Sequence, residues 1–257
     1  MPQLQTLLHS ALIAAKDFSN LKLLKLVTHH SLFLFILLQF SVVHAQKMKS
    51  GTATYAVTVI ENKDSKLEKM MLEMNANAHT ITSEFSFTLE FEGQRSLFYF
   101  DEKLYSDPEA AKIGLLKLRY TGEILQTNDS IFKSYKFADK KNLVGSEKNR
   151  NWIITTETKK IGNFLCYKAT LIDVVENSKG RFEHPVIAWF CPEIPYNFGP
   201  LKFGGLPGLI VELQTKDAIF GLTELRTDVK NKKLKAFDST KTKISEEELN
   251  EIIKLSN

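Results

Sequence analysis

The chain has 257 residues, with 34 Lys and Arg against 30 Asp and Glu, which gives a formal net charge of +4. A positive balance this small does not indicate nucleic-acid or membrane-surface binding. Two cysteines are too few for a disulfide-rich scaffold. The length and the 43% hydrophobic content suit a globular domain with a substantial core.

An apolar segment lies near the N-terminus. Residues 31–43 read SLFLFILLQFSVV, and Lys22 and Lys25 precede them. A charged region, an apolar core and a small residue before the cut are typical of a secretory signal peptide, so we predict cleavage after Ala45. The alternative is an uncleaved anchor, but a spanning helix needs about 20 apolar residues. Gln46 follows the cut instead of cysteine, which argues against a lipoprotein.

These features predict a leader over residues 1–45 and a single β-rich domain over residues 46–257. The leader is long, and an alternative is that residues 1–20 lie upstream of the true start. We expect the mature protein to be periplasmic or secreted, with no stable transmembrane span after signal cleavage.

Alternation of apolar and polar residues dominates the rest of the chain. Residues 53–59 and 85–91 alternate with the period of half-buried strands. Further strands are predicted at 96–100, 131–137, 152–157, 164–174, 182–191, 209–214 and 219–226. Many short strands with short, turn-rich connections indicate a mainly β fold with a single curved antiparallel sheet, a half-barrel or open barrel.

Helices are predicted at three places. Apolar residues at 67, 70, 71 and 74 share one helical face. Asp107 followed by Pro108 is typical of a cap and first helical position. Ser245 and Glu248 have the spacing of a capping box, and apolar residues at 249, 252 and 253 follow them in a C-terminal helix.

The cysteines Cys166 and Cys191 fall on successive predicted strands. If Asn177 pairs with Gly180 around a two-residue turn, Cys166 lies opposite Cys191 at a non-hydrogen-bonded position. The Cα atoms then approach to about 4.5–5.5 Å, within the range that a disulfide tolerates. Export to an oxidising compartment favours the disulfide, which we therefore predict.

A second register for the same hairpin remains open. A bulge at Gly180 would shift the pairing by one residue and turn the cysteines to opposite faces of the sheet. In the first register Lys168 lies opposite Trp189, and its aliphatic stem is expected to rest on the indole.

The segment 204–210 stands out among the connections because it is rich in glycine and proline. It consists of Gly204, Gly205, Leu206, Pro207, Gly208, Leu209 and Ile210. Pro207 and Gly208 suit the central positions of a type II turn, since proline restricts φ and glycine supplies a positive φ. We expect the segment to position the chain and to take no part in chemistry.

Other blocks accompany this segment in a set order. Residues 162–170 read GNFLCYKAT, residues 188–190 read AWF, and residues 192–195 read PEIP. Together with 204–210 they resemble the GLPGLI family of exported bacterial proteins, whose activity is unassigned. The resemblance covers about 50 residues, and the chain before residue 150 shares only a β pattern with the family.

The sequence lacks the residue patterns that several classes of enzyme require. In the predicted mature chain the only histidines are His79 and His184, far apart in sequence, which argues against a zinc enzyme. Neither a nucleophile elbow nor a nucleotide-binding fingerprint occurs. No metal site and no cofactor is predicted. Carboxylates that could converge in space are Glu157, Glu183, Glu193, Glu212 and Glu224.

These observations favour an exported binding or interaction module over an enzyme. A curved sheet can hold an apolar molecule or a peptide in its mouth. The predicted ligand-binding residues are Lys168, Trp189, Phe190, Phe198 and Phe203. The expected partner is an unknown apolar ligand or an envelope protein, and no nucleic acid. Two alternatives are an exported hydrolase that uses carboxylates and a structural partner of an outer-membrane assembly.

Overall fold

The fold is given by a computed structural model that describes residues 50–62, 64–137, 140–177, 180–227, 234, 242–245 and 248–249. The predicted signal peptide and its cleavage site lie outside the described residues. Within the described part of the chain, no helix is long and apolar enough to cross a membrane.

One twelve-stranded sheet forms the body of the protein. Its strands are β1 (Gly51–Val59), β2 (Ser86–Glu92), β3 (Arg95–Phe100), β4 (Ile124–Gln126), β5 (Ser130–Phe137), β6 (Lys140–Glu147), β7 (Ile153–Ile161), β8 (Phe164–Asn177), β9 (Gly180–Cys191), β10 (Leu209–Gln214), β11 (Ala218–Thr227) and β12 (Thr242–Ser245). Two α-helices, α1 (Lys66–Met74) and α2 (Pro108–Lys117), and two short 3-10 segments lie between strands.

The strands follow the order β12-β6-β5-β4-β3-β2-β1-β11-β10-β9-β8-β7. Ten of the eleven pairings are antiparallel, and β12 pairs with β6 in parallel. The prediction of a mainly β fold with a single curved sheet is therefore confirmed, with the correction that the sheet is mixed and not wholly antiparallel. The parallel strand enters through the long connection after β11, which adjacency along the chain does not predict.

All nine predicted strands form, and three others were missed. Strand β4 has three residues, which is too short to show a period. Strand β6 reads KKNLVGSE, and its polar residues and glycine weaken the β signal. Strand β12 ends at Ser245, the residue that also caps the predicted C-terminal helix.

The predicted helix caps are confirmed where the structure describes them. Asp107 accepts a hydrogen bond from the Ala110 N–H at 2.9 Å and begins α2. At the C-terminus the Ser245 N–H donates to Glu248 Oε2 at 2.7 Å, and the Glu248 N–H donates to Ser245 Oγ at 3.1 Å. These reciprocal bonds form the expected capping box. Glu248 and Leu249 are helical, and the rest of the predicted C-terminal helix lies outside the described residues.

The core lies along one face of the sheet and is rich in aromatic rings. Phe87 and Phe98 stack with centroids 5.2 Å apart, and Phe220 meets both rings edge-on. The buried cluster continues from Ile131 on β5 to Leu171 on β8, although these strands lie towards opposite ends of the sheet order. The sheet is therefore curved so that both halves contribute to one core.

The β8–β9 hairpin has the first of the two predicted registers. Asn177 pairs with Gly180, and Lys168 pairs with Trp189. Ala169 and Ala188 form another pair and are both fully buried. Side chains at alternate positions therefore point into the core, whereas Lys168 and Trp189 belong to the outer face.

Candidate binding cavity

The predicted ligand-binding residues do not converge. Phe190 and Phe198 are buried in the core, where neighbouring side chains already fill the space around them. Lys168 and Trp189 lie on the outer face of the sheet. Only Phe203 lines the cavity described below. The other four lie away from this cavity, because sequence alternation does not tell which aromatic residues pack against protein.

The outer face of β7–β9 is organised by ion pairs. Lys168 Nζ lies 2.9 Å from both carboxylate oxygens of Glu157. Lys159 Nζ binds Glu212 at 2.7 Å and lies 5.0 Å from the centre of the Trp189 ring. The ammonium over the indole is thus that of Lys159, while Lys168 pairs with Trp189 across the strands. The β7–β8 pairing has a bulge between Ile154 and Thr158.

The glycine-proline segment 204–210 is packed as a structural element. Leu206, Leu209 and Ile210 are almost fully buried. The Ile210 carbonyl accepts a hydrogen bond from the Tyr55 hydroxyl at 2.8 Å, and the Gly204 carbonyl accepts one from Trp152 Nε1 at 2.9 Å. These contacts anchor the segment to β1 and to the start of β7.

Gly208 is required by close packing of the backbone. A Cβ atom at this position would lie 2.2 Å from the carbonyl oxygen of Cys191 and 2.9 Å from the Pro192 nitrogen. Its φ of +156° is also one that other residues rarely adopt. The segment therefore crosses the end of β9 at a distance that only glycine permits.

The predicted type II turn does not form at this segment. The Gly208 N–H donates to the Leu206 carbonyl at 2.8 Å, so the chain turns about Pro207 alone. The Leu209 N–H donates to the Ile194 carbonyl at 2.9 Å, where a type II turn would direct it back to Leu206. The tertiary contact with the loop after β9 replaces the local hydrogen bond.

Gln126 holds the loop that precedes this segment. It is fully buried at the end of β4. Its Nε2 lies 2.8 Å from the Leu201 carbonyl oxygen, and within 3.3 Å of those of Gly199 and Phe203. One side-chain amide therefore donates to three backbone carbonyls of the loop. These hydrogen bonds hold the loop in the conformation that places Leu201 and Phe203 in the cavity wall.

A cavity of about 380 Å³ opens beside this loop. Strands from both halves of the curved sheet supply its walls, together with the end of α2 and the β10–β11 turn. Its apolar lining includes Leu118, Ile124, Val144, Val186, Leu201 and Phe203. Leu249, from the capped C-terminal turn, also lines it. The cavity is a product of sheet curvature, since its walls are far apart in sequence.

Backbone strain concentrates at this cavity. In the described part of the chain, the non-glycine residues with positive φ are Arg119 and Leu201, at 54° and 55°. Both line the cavity. Residues held in this conformation persist only where surrounding structure determines them, and they occur preferentially at ligand sites.

Charged groups surround the apolar floor. Lys202 Nζ lies 2.6 Å from Asp173 Oδ1, and Arg119 Nε lies 3.1 Å from Asp217 Oδ2. Partial burial and the positive charges of Arg119 and Lys216 lower the pKa of His184, against the opposing effect of the two aspartates. The imidazole is therefore held towards its neutral form.

Sequence reasoning missed most of this site. His184 was noted only as a histidine without a partner, and Arg119 carried no signal at all. Arg119 is the second residue after the end of α2. Its N–H donates to the Leu116 carbonyl at 3.0 Å, and the Tyr120 N–H donates to the Leu115 carbonyl at 3.1 Å. This Schellman arrangement usually has glycine at the left-handed position.

Most of the carboxylates considered for hydrolysis are held by basic side chains. Glu157 and Glu212 bind Lys168 and Lys159, while Glu183 and Glu224 bind the arginines at 181 and 226. Glu193 is exposed in the loop after β9. Among the described residues, no group of three or more His, Cys, Asp or Glu side chains could hold a metal ion.

The two cysteines are buried free thiols in this structure. Burial and the neighbouring Cys191 raise the pKa of the Cys166 thiol to about 11. The observed register, extended by one residue pair, sets Cys166 opposite Cys191 as expected. Their disulfide stays a prediction.

One segment of the chain matches the model of a family of unknown function. Residues 180–212 match the profile described as "Protein of unknown function (Porph_ging)". This segment spans β9, the following loop and most of β10, including all of the glycine-proline segment. The resemblance to the GLPGLI family stays a prediction. No curated protein matches the chain.

Two solved structures of PNGF-II are similar to the chain at low identity. The crystal form in space group P21 has a TM-score of 0.47 at 12% identity, covering 81% of this chain and 34% of that chain. The C2 form has a TM-score of 0.46 at 13% identity, covering 81% of this chain and 33% of that chain. The present chain thus spans about a third of the length of PNGF-II.

Proposed function

We propose that this protein is an exported binding module that holds the apolar part of a small amphipathic molecule in its cavity. The observation that carries the proposal is the cavity itself, with an apolar floor, a charged rim and a volume of about 380 Å³. Small-molecule sites are typically concave and mostly apolar, with a few polar groups and volumes of about 300–1,000 Å³.

The energetics support a ligand with an apolar chain. Each methylene transferred from water to the cavity floor contributes about 0.8 kcal/mol. A chain of eight carbons therefore offsets a substantial part of the association entropy, which is at least about 4 kcal/mol. The strained Leu201 and the buried Gln126 support the same proposal, because they hold the wall in place before a ligand arrives.

Filling the cavity tests this proposal. Val175 lines the cavity on β8, whereas Ile172 on the same strand is exposed and lies outside the lining. We expect wild type and Ile172→Trp to bind octanoate or 1-octanol, and Val175→Trp to bind at least about tenfold more weakly. Isothermal titration calorimetry on the mature chain measures this difference. The proposal fails if wild type binds neither probe, or if both tryptophan variants bind alike.

The export part of the proposal rests on the predicted leader and on the two cysteines that face each other across the β8–β9 hairpin. We expect peptide mapping of protein recovered from its own host to begin at Gln46. The same unreduced sample should show no reactive thiol after denaturation, because an oxidising compartment would join Cys166 to Cys191. A chain that retains residues 1–45 contradicts export, and two reactive thiols contradict the disulfide.

An interaction role is the second candidate, and a different observation favours it. The end of the sheet formed by β7–β9 exposes several large apolar side chains, and β7 is an edge strand of the sheet. They lie on both faces of these strands and are Ile153, Ile154, Leu165, Ile172, Val174 and Phe182. Exposed apolar side chains beside an edge strand are typical of protein contacts. This candidate concerns the β7 edge and is compatible with a ligand in the cavity.

A further inference from the structure

The charged rim of the cavity has an excess of cations. The lining cations are Arg119, Lys133, Lys202 and Lys216, and the lining carboxylates are Asp173, Glu176 and Asp217. Cations thus outnumber carboxylates in the lining by four to three. An apolar cavity with a positive rim suits a ligand that carries an anionic group on an apolar body.

Two of these cations act on His184, because Arg119 and Lys216 are among the charges that lower its pKa. The carboxylate of Asp173 is engaged by Lys202, and that of Asp217 by Nε of Arg119. The terminal nitrogens of the Arg119 guanidinium keep further donors, since Nε supplies only one of five N–H groups. Among the described residues no carboxylate lies within ion-pair distance of Lys216, which also lines the cavity.

The backbone conformation at Arg119 also supports a role of its guanidinium in ligand binding. Arg119 occupies the left-handed position at the end of α2, where glycine is the residue without strain. An arginine there places a guanidinium at the cavity wall, and in its ion pair with Asp217 the arginine side chain is 49% exposed and the aspartate 24%. A solvent-accessible pair of this kind contributes little to stability. A role in holding a ligand explains why an arginine occupies a position suited to glycine.

We infer that the cavity takes a molecule with a carboxylate on an acyl chain, the carboxylate bound at Arg119 and Lys216 beside His184 and the chain on the apolar floor. This inference rests on the proposed binding function and names its ligand class. Guanidinium and ammonium donors form short charge-assisted hydrogen bonds with carboxylates. The neutral His184 imidazole adds one N–H donor. A free fatty acid and an acylated amino acid or peptide share this chemistry.

Matched probes test the ligand class. Octanoate and 1-octanol have the same chain length and differ in the anionic group. We expect wild type at pH 7 to bind octanoate at least about tenfold more tightly than 1-octanol, which corresponds to one charge-assisted contact. Lys216→Met and Arg119→Gly should weaken octanoate binding about tenfold each and leave 1-octanol binding unchanged.

Controls separate this inference from a general effect on folding. Lys112→Met removes an exposed lysine of α2 outside the cavity and should change neither affinity. Arg119→Gly introduces the residue that the backbone conformation favours, so it should fold, and Lys216→Met provides an independent variant. Octylammonium should bind more weakly than octanoate. N-octanoylglycine and octanoate then distinguish an acylated amino acid from a free fatty acid.

The outcomes distinguish the inference from the proposed function. Equal binding of octanoate and 1-octanol, tighter binding of octylammonium, or an unchanged octanoate affinity in both charge variants would overturn the carboxylate assignment. In those cases the binding module itself would stand. Failure of wild type to bind any of the probes would overturn both.

Discussion

Gly208→Ala is expected to destabilise the protein by about 3 kcal/mol or more, because overpacking against backbone and a strained φ act together. The alanine Cβ would lie 2.2 Å from the Cys191 carbonyl oxygen, an atom of β9 that cannot move without shifting the strand. Urea denaturation followed by circular dichroism measures the loss as a lower midpoint at an unchanged slope.

Two other glycines provide matched controls. Gly221 on β11 has no atom within 4 Å of its would-be Cβ, and Gly221→Ala should leave stability unchanged or raise it by about 0.5 kcal/mol. Gly205 lies in the same segment with a φ of +86° and no contact closer than 3.6 Å. Gly205→Ala should therefore cost about 1–2 kcal/mol, from backbone strain alone. If Gly208→Ala were as mild as Gly205→Ala, the close crossing over β9 would not be the reason for this glycine.

Lys117→Met is expected to destabilise the protein by about 3–5 kcal/mol, because it leaves a buried carboxylate without its main partner. Lys117 Nζ on α2 lies 2.5 Å from Glu68 Oε2 on α1, and both residues are less than a tenth exposed. The Asn62 N–H donates to the same oxygen at 2.8 Å, and His79 Nε2 lies 3.5 Å from Oε1. Lys112→Met, on the exposed side of α2, serves as the control and should have little effect.

The pH dependence makes this second prediction specific. Burial alone would raise the pKa of Glu68, but Lys117, the Asn62 N–H and His79 outweigh it, so the pKa lies below its ordinary value. In the wild type the pair therefore contributes stability above the ordinary glutamate pKa, about 4.3, and this contribution is lost as the pH falls below it.

Without Lys117 we expect the shift of the Glu68 pKa to reverse its direction. Burial then raises the pKa, and protonation of the carboxyl at low pH reduces the loss of stability in the variant. The difference in unfolding free energy between wild type and Lys117→Met should thus be largest near pH 7 and smaller near pH 4. The double variant Glu68→Leu/Lys117→Met should recover much of the loss, since an apolar pair can replace a buried ion pair. A difference that does not change with pH would contradict this account.

Helix α1 illustrates how far the local pattern predicts the fold. The predicted helix forms over Lys66–Met74, yet Met70 and Met74 on its apolar stripe are 50% and 63% exposed. Among the side chains of α1 whose burial the structure describes, the buried ones are Met71 and Glu68. Periodicity identified the helix, but the position of Lys117 on another helix decided which face was buried.

The cavity illustrates the same division at the candidate site. Phe203 was predicted to contact a ligand and lies in the wall, whereas Arg119 and Lys216 carried no sequence signal. Short-range features cannot reveal these residues, because they meet only when the curved sheet brings the end of α2 near the β10–β11 turn. Exposed basic side chains are common in proteins. Arg119 and Lys216 differ from the others because both lie beside the apolar floor of the cavity.

By itself, the sequence determined nine of the twelve strands and the caps of the helices. These properties depend on side-chain alternation and on cap hydrogen bonds, which act over a few residues. The tertiary structure alone decided between the two registers of the β8–β9 hairpin, and it alone decided the parallel pairing of β12, the turn at Pro207, the close packing at Gly208, the buried ion pair and the cavity. Each depends on contacts between residues distant in the chain, whose free energy no local pattern encodes.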